Sequence, residues 1–230
     1  MDLEALRNHL EGKKAVLDAW GRFVYESLSK QISAASIKVQ IGSCRVKEID
    51  SAVGKVARKG YEDPLRQMTD LVGVRFVVLL SPQLYAIGDL IEKTPDWTYT
   101  KDRDPDEEAQ MQAEKFGYQS LHYIVRSVRD MDVGGVAIPK ELPCEVQVRT
   151  LLQHTYAEVV HDSIYKAVGK VPPKANRFVA RSMALIETSD HLFVETMRLL
   201  EEENRDRNQL LSELSHLYTL SFPRNFVCQG

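Results

Sequence analysis

The segment from Asp70 to Leu80 constrains the fold most, because it is an almost unbroken run of aliphatic and aromatic side chains in the middle of the chain. Its β-branched residues and its length are typical of a buried strand, and residues 81–93 follow it with helical spacing. Arg75 stands inside this run, between Val74 and Phe76. Successive side chains of a strand point to opposite faces, so we predict that Arg75 points away from the apolar packing.

Further elements are predicted on both sides of this strand. Helical apolar spacing predicts further helices over 2–32, 49–60, 151–166 and 174–215, the first and last of which can each be one helix or two. Alternating or apolar runs predict further strands over 37–41, 97–101, 118–128 and 145–149. A basic loop is expected after the strand at 37–41, and the acidic run from Asp102 to Glu114 is expected to be a mobile loop. Strands in the middle and helices at both ends predict an α+β fold.

Composition limits the class of protein. The chain has 230 residues, 43% of them hydrophobic, which is enough for a substantial core. The formal net charge of -3 argues against a protein that coats nucleic acid through bulk charge. Three widely spaced cysteines form no CxxC pair, and neither a leader segment nor a membrane-spanning run is recognisable. We therefore expect a cytoplasmic protein without a membrane partner.

Two carboxylates are placed where chemistry can occur. Glu145, Gln147 and Arg149 alternate with valines, so an acid, an amide and a guanidinium share one face of a predicted strand. Asp70 stands at the mouth of the buried strand. Carboxylates that converge from two strands can hold Mg²⁺ and accept a proton from an attacking hydroxyl, as phosphoryl transfer requires. Each residue taken singly is also compatible with a turn or a solvated strand face.

Basic and aromatic side chains complete the candidate site. The basic candidates are suited to binding a triphosphate, and they are Arg45, Lys47, Lys55, Arg58 and Arg75. On the predicted strand at 118–128, Tyr118, Ser120 and His122 share a face, from which a ring can stack on a base and an imidazole can contact a phosphate. Ordinary surface charge and a core tyrosine remain the alternatives.

Taken in order, these motifs resemble the RelA/SpoT-type alarmone synthetases, in the small, synthetase-only form. The similarity spans roughly residues 37–166. It rests on Arg45-Val46-Lys47 with Lys55 and Arg58, on Asp70 to Arg75, on Gly117 to His122, and on Glu145 to Thr150 followed by Ala157-Glu158 and His161. Four motifs in family order are far more specific than any one of them.

The resemblance implies a fold, a reaction and a role for each residue. The fold would be a nucleotidyltransferase-like mixed sheet flanked by helices, with an N-terminal helical segment at 1–36, a synthetase domain at 37–170 and a C-terminal helical extension at 171–230. The enzyme would move the β,γ-pyrophosphate of ATP to the 3′-hydroxyl of GTP or GDP and release AMP. Asp70 and Glu145 would be catalytic and hold Mg²⁺. The five basic residues would bind ATP, and the acceptor would be bound by Tyr118, His122, Gln147, Arg149 and His154.

Departures from the family pattern leave other acceptors open. Members that make guanosine alarmones usually carry Arg or Lys at the position of Gln119, Asn at His154 and Trp at Tyr156. An adenosine nucleotide is therefore an alternative acceptor. So is the 3′ end of tRNA, as in the toxic small alarmone synthetases, whose docking would use a basic patch at Lys166, Lys170, Lys174, Arg177 and Arg181. The acidic run before Gly117 would also repel a free triphosphate.

Three further interpretations concern partners and activity. The chain could be a nucleotide-sensing module without turnover, although binding alone does not need both carboxylates. Hydrolysis of alarmones is not expected, because His161-Asp162 lacks further metal ligands in a matching arrangement. The apolar spacing between Glu187 and Leu220 is compatible with covering the sheet or with a homo-oligomer. An antitoxin would be the partner of a toxic member.

Overall fold

The computed structural model describes residues 3–61, 67–111, 120–160 and 171–221. Its helices are α1 (Leu3–Ala34), α2 (Ile49–Lys59), α3 (Ser81–Lys93), α4 (Pro105–Met111), α5 (Leu151–Val160) and α6 (Pro173–Ser221). Its strands are β1 (Ile41–Val46), β2 (Val72–Val78), β3 (Trp97–Arg103), β4 (Leu121–Ser127), β5 (Met131–Val133), β6 (Val136–Ile138) and β7 (Pro143–Thr150).

Five strands form one mixed sheet in the order β1-β2-β7-β4-β3. The central pair, β2 and β7, is parallel, whereas β1–β2, β7–β4 and β4–β3 are antiparallel. Strands β5 and β6 form a separate hairpin. Parallel neighbours need a long crossover connection, and here that connection carries α3, β3, α4, β4, β5 and β6. The predicted α+β fold with a mixed sheet is confirmed.

The two faces of the sheet differ in chemistry because side chains alternate along each strand. One face carries the buried side chains Val72, Val74 and Phe76 of β2 and Val146 and Val148 of β7, all of which belong to the apolar core. Helices α1 and α3 pack against this sheet and contribute further buried side chains, namely Leu6, Leu10, Leu17, Trp20, Val24, Leu28, Ile32, Leu84, Ile87 and Ile91. The opposite face carries the polar side chains of the candidate site.

By its contacts the chain divides into two units, residues 1–190 and residues 191–230. Helix α6 contributes its segment 173–190 to the first unit and continues into the second. In the second unit its large apolar side chains are exposed, and they are Leu192, Phe193, Met197, Leu199, Leu200, Leu210, Leu211, Leu214 and Leu217.

Most predicted elements are found where the sequence indicated them. The helix over 81–93 has those bounds, and α1 and α6 are each one helix rather than two. Helix α2 ends at Gly60, whose φ of 62° lies in the left-handed region that favours glycine. Among the described residues, no helix has both the length and the apolar character needed to cross a membrane.

The prediction of a strand at 37–41 followed by a basic loop is wrong. Strand β1 begins at Ile41 and includes Arg45, because residues 41–46 pair antiparallel with Val77 to Val72 of β2. Gly42 and Ser43 are weak strand formers, but tertiary pairing overrides that propensity. Gly42 also fits closely, since a Cβ there would lie 2.7 Å from the Tyr25 hydroxyl oxygen.

The prediction of a mobile acidic loop is wrong for its described part. Residues 105–111 form helix α4, and Asp104 caps it by accepting hydrogen bonds from the backbone N–H groups of Asp106 and Glu107 at 3.0 and 3.5 Å. Arg103 donates two hydrogen bonds to Glu108, at 2.6 and 2.8 Å. The acidic side chains stabilise this helix because they occupy its N-terminal turn, where the macrodipole favours negative charge. Residues 112–114 lie outside the described segments.

Candidate active site

The register of the two parallel strands brings the catalytic candidates together. Gly73 of β2 is the neighbour of Glu145 of β7, and Arg75 is the neighbour of Gln147. Across the other edge of β7, His122 of β4 also lies opposite Gln147. Asp70 comes just before β2, in the turn from which that strand begins. Sequence motifs that are far apart in the chain therefore meet on the polar face of one sheet.

Asp70 is held by two ammonium groups. Its Oδ2 accepts hydrogen bonds from Lys47 Nζ and Lys55 Nζ, each at 2.8 Å, and the Asp70 side chain is 18% exposed. Burial by itself raises the pKa of Asp70, but these two hydrogen bonds outweigh it and hold the pKa below its ordinary value. The other oxygen, Oδ1, is buried and has no hydrogen-bond partner among the described residues. Asp70 is thus ionised, and its Oδ1 is a buried acceptor without a partner in the described part of the chain.

Glu145 begins a row of hydrogen-bonded side chains along β7. Gln147 Nε2 donates to Glu145 Oε2 at 2.8 Å, and Arg149 in turn donates to Gln147 Oε1. The shared face predicted for these three residues is therefore confirmed. His122 Nδ1 lies 3.6 Å from Glu145 Oε1. This pairing places His122 beside a catalytic candidate, in addition to the acceptor role predicted for it.

The pKa of Glu145 reflects these neighbours and Asp70. Burial raises the pKa of Glu145 and the charge of Asp70 adds to that effect, but His122 and Gln147 oppose it, and the pKa is lowered from its ordinary value. The charge of Asp70 acts on Glu145, so the two carboxylates lie close enough to influence each other. Both are ionised near neutral pH, and Lys47 and Lys55 balance the charge of Asp70.

A second ion pair joins the sheet to helix α5. Arg75 donates a hydrogen bond to Glu158 Oε1 at 3.0 Å, and His154 Nδ1 lies 3.6 Å from the same oxygen. Burial lowers the pKa of His154, and the positive charges of Arg149 and Arg75 lower it further. His154 is therefore neutral near physiological pH. Glu158 was recognised in the sequence only as part of a family motif, and its contact with Arg75 needed the fold.

Gly73 leaves open space in the middle of this face. Its neighbours in the sheet are Arg45 on one side and Glu145 on the other. Among the described residues, a Cβ added at Gly73 would meet a single atom within 4 Å, Arg45 Cγ at 4.0 Å. Neither packing nor a positive φ accounts for a glycine here. Sequence reasoning did not select Gly73, although an isolated glycine inside a strand is a recognised sign of close approach by a ligand.

The remaining candidates are placed as follows. Arg45 is exposed on β1 beside Gly73, and Arg58 is exposed on α2, where its Nε donates to the Gly54 carbonyl at 3.3 Å. Arg149 is only 3% exposed, so it supports the row on β7 from within the protein. Tyr118 lies outside the described residues. So do Gln119, His161, Lys166 and Lys170.

The described residues contain no group of three or more His, Cys, Asp and Glu side chains that could hold a metal ion by themselves. Asp70 and Glu145 are a pair rather than a cage. A cation that keeps several waters or bonds to substrate phosphates needs no more than one or two protein carboxylates, which is how Mg²⁺ is usually held. The orphaned Asp70 Oδ1 fits that use.

Comparisons with known proteins identify a family and relatives of this chain. The family model of the region found in RelA/SpoT proteins matches residues 44–170. The GTP pyrophosphokinase YwaC of Bacillus subtilis (strain 168) is 26% identical over 192 residues, which cover 75% of this chain and 86% of YwaC. The GTP pyrophosphokinase YjbM of the same organism is 27% identical over 141 residues, covering 60% of this chain and 62% of YjbM.

Solved structures show the same fold. The small alarmone synthetase 1 from Bacillus subtilis superposes with a TM-score of 0.70 at 20% identity, covering 85% of this chain and 99% of that one. A GTP pyrophosphokinase family protein from Streptococcus pneumoniae gives a TM-score of 0.67 at 23% identity, covering 88% and 97%. With more than half of its length matched by the family model, the chain belongs to the RelA/SpoT family, as a small member of the synthetase type.

Proposed function

We propose that the protein is a nucleotide pyrophosphokinase that transfers the β,γ-pyrophosphate of ATP to the 3′-hydroxyl of GTP or GDP, forming a guanosine alarmone and releasing AMP. The observation that carries this proposal is the pair of ionised carboxylates, Asp70 and Glu145, on one sheet face beside Lys47, Lys55 and Arg75. Relatives support it, since YwaC and YjbM are GTP pyrophosphokinases and a related synthetase has been solved with its product pppGpp.

The ATP side is assigned to β1, α2 and β2. Lys47 directly follows β1 and Lys55 lies on α2, and both pair with Asp70. Arg45 of β1 flanks the open surface over Gly73. Phosphates lying on that surface would meet ammonium and guanidinium groups from several elements, which suits a polyanion. The lysines would then move from Asp70 toward the phosphates. A related synthetase has been solved with the ATP analogue AMPCPP, which supports an ATP site of this kind.

Mg²⁺ would be held by Asp70 and Glu145, and it would supply neutralisation of the phosphate charge when bound. A carboxylate with a lowered pKa is a weak proton acceptor, so the surroundings of Glu145 favour holding a cation or orienting the acceptor over removing its proton. Arg75 and the lysines would stabilise charge on the transferred group. The protein's contribution is therefore positioning and electrostatic stabilisation.

The acceptor side is assigned to β4, β7 and α5. Tyr118 would stack on the acceptor base, and His122, Gln147 and His154 would line its phosphates and sugar, with the buried Arg149 holding Gln147 in place. Arg103 is paired with Glu108 and Lys101 with Asp104, so these two cations are already engaged by acids of the same segment. That pairing makes them less available to the phosphates of an acceptor. GTP and GDP are the preferred acceptors because YwaC and YjbM are GTP pyrophosphokinases.

Other acceptors and partners are alternatives to be tested. Lys174, Arg177 and Arg181 are exposed on α6, which keeps the 3′ end of tRNA as a second candidate acceptor. An adenosine nucleotide is a third, because His154 stands where the family usually has Asn. A homo-oligomer is favoured by the exposed apolar side chains of residues 191–221. If the protein modifies tRNA, an antitoxin would be its expected partner. If it shows no turnover with any acceptor, it would be a nucleotide-sensing module. A cytoplasmic location is expected for each of these.

The test is an assay of AMP release and label transfer from ATP to GTP, GDP, ATP or tRNA, with and without Mg²⁺. We expect transfer to GTP and GDP, and loss of at least about 100-fold in kcat for Asp70→Asn and Glu145→Gln. Asp89→Asn is the control, since that carboxylate is exposed and pairs with Lys93 on the surface. AMP release under no condition would refute the enzyme, and label on tRNA alone would refute the free-nucleotide acceptor.

A further inference from the structure

A buried acid on helix α6 has no role in the chemistry assigned so far. Among the described side chains of α6, Met183 and Asp190 are the buried ones, two helical turns apart on one face. Met183 is an ordinary apolar anchor. Burying a carboxylate is costly unless it is paired, so an apolar residue at position 190 would anchor the helix at lower cost. The position of Asp190 therefore calls for an explanation beyond packing.

Asp190 contacts the end of the strand that carries Glu145. Its Oδ2 accepts a hydrogen bond from Thr150 Oγ1 at 2.7 Å, and Thr150 is fully buried. Burial raises the pKa of Asp190, while the Thr150 hydrogen bond opposes that rise. Asp190 Oδ1 has no hydrogen-bond partner among the described residues. The single described hydrogen bond of this buried acid is thus directed at one hydroxyl group.

That hydroxyl group begins helix α5. Gln153 N–H donates to Thr150 Oγ1 at 3.2 Å, and Thr150 N–H donates to Gln153 Oε1 at 3.0 Å. This reciprocal pair is a capping box, which fixes where a helix starts. The Thr150 hydroxyl oxygen accepts a hydrogen bond from the Gln153 N–H group, and its own O–H group donates a hydrogen bond to Asp190 Oδ2. A negative charge near a helix N-terminus is also favourable.

Helix α5 carries side chains of the site on its next turns. His154 follows the capping box directly, and Glu158 lies one turn further, where it accepts the hydrogen bond from Arg75 at 3.0 Å. We propose that Asp190 is a positioning residue for pyrophosphate transfer: through the Thr150 capping box it fixes the start of α5, and so the placement of Glu158 against Arg75 and of His154. This inference rests on the proposed function, because it assigns Arg75 to ATP.

The test compares steady-state kinetics and unfolding free energy for Asp190→Ala, Asp190→Asn and Met183→Ala in the full chain. Loss of a capping interaction predicts a decrease of about 2- to 30-fold in kcat/KM for ATP with Asp190→Ala, mainly through KM. Asp190→Asn keeps an oxygen for the Thr150 hydroxyl and should stay within about twofold of the wild type. Met183→Ala loosens the same helix without touching Thr150, so it should lower stability and leave kcat/KM within about twofold.

A double-mutant cycle gives a second measure. Thr150→Val removes the hydroxyl and with it both the Gln153 cap and the Asp190 hydrogen bond, so by itself it should cost more than Asp190→Ala. The loss in kcat/KM of the double variant should be smaller than the sum of the two single losses, because the Asp190–Thr150 hydrogen bond is broken in both single variants. Additive losses would overturn the proposal. It would also be overturned if Asp190→Ala resembled Met183→Ala, or if Asp190→Asn failed to restore KM. A wild-type protein without transfer to any acceptor would instead refute the proposed function, and the cycle measured on unfolding free energy would still test the Asp190–Thr150 coupling.

Discussion

Replacing Gly73 by alanine should raise stability and lower activity at once. The added methyl group enters open space, with its nearest neighbour, Arg45 Cγ, at 4.0 Å. Gly73 lies inside β2 and its φ is not positive, so alanine reduces the entropy lost on folding without backbone strain. The substitution should therefore increase the free energy of unfolding by about 0.5–1 kcal/mol.

The same methyl group would occupy the surface on which we place the ATP phosphates. Adding a methyl group to a filled contact typically costs about 1–3 kcal/mol. Applied to the bound transition state, this corresponds to a loss of about 5- to 150-fold in kcat/KM for ATP. Gly73→Val should be more severe, because its two further methyl groups fill more of the space between Arg45 and Glu145.

The assay pairs urea unfolding with initial rates of AMP formation at varied ATP. Gly12→Ala is the matched control, since a Cβ there meets no atom of the described segments within 4 Å, on helix α1 away from the sheet face. It should raise stability by a similar amount and leave the rates unchanged. If Gly73→Ala were as active as the wild type, ATP would not lie over Gly73, and the placement of the phosphates would be refuted.

Two further predictions concern His154 and the packing of α1. The lowered pKa of His154 means that the folded protein resists its protonation, so stability is full above the ordinary value of 6.5 and is lost as pH falls through the folded pKa. His154→Asn should not show that loss of stability. Urea unfolding of both proteins at pH 7.5 and 5.5 measures it, and an equal decrease in the free energy of unfolding of the wild type and of His154→Asn would contradict this prediction. Gly21→Ala should destabilise by about 1–3 kcal/mol, because its Cβ would lie 2.6 Å from Val72 Cγ1 and 2.7 Å from Cys44 Sγ. Thermal and urea unfolding of Gly21→Ala, with Gly12→Ala as the control, measure this destabilisation. An unchanged free energy of unfolding would mean that α1 shifts to accommodate the added methyl group.

The central strands could be predicted from the sequence because their signals are local. The apolar run around Val74 and Phe76 predicts β2, and the alternation of Glu145, Gln147 and Arg149 predicts a polar face on β7. Both are consequences of the two-residue period of a strand. Helix α4 was not predicted, because the low hydrophobicity of its segment is typical of a loop, whereas the Asp104-Pro105 pair is a signal for the start of a helix.

Contacts between distant segments could not be predicted in the same way. Lys47 and Lys55 were assigned to ATP from the sequence, whereas the structure shows both bonded to Asp70. The Arg75–Glu158 pair depends on how α5 lies over the sheet, and the Asp190–Thr150 bond on where α6 packs. No periodicity in the sequence encodes such pairs, because they arise from tertiary geometry. The acceptor role of Tyr118, which lies outside the described residues, stays a prediction.

The parallel pairing of β2 with β7 has a consequence for the order of folding. Asp70 comes just before β2 and Glu145 lies on the neighbouring β7, but α3, β3, α4, β4, β5 and β6 come between them in the chain. Contacts of such long sequence separation form slowly, because the loop entropy is lost before the pairing is gained. Local helices and the antiparallel β3–β4 pair can form earlier. A chain still growing on the ribosome therefore holds one carboxylate without the other, and its pyrophosphate-transfer site would be assembled only when β7 inserts between β2 and β4.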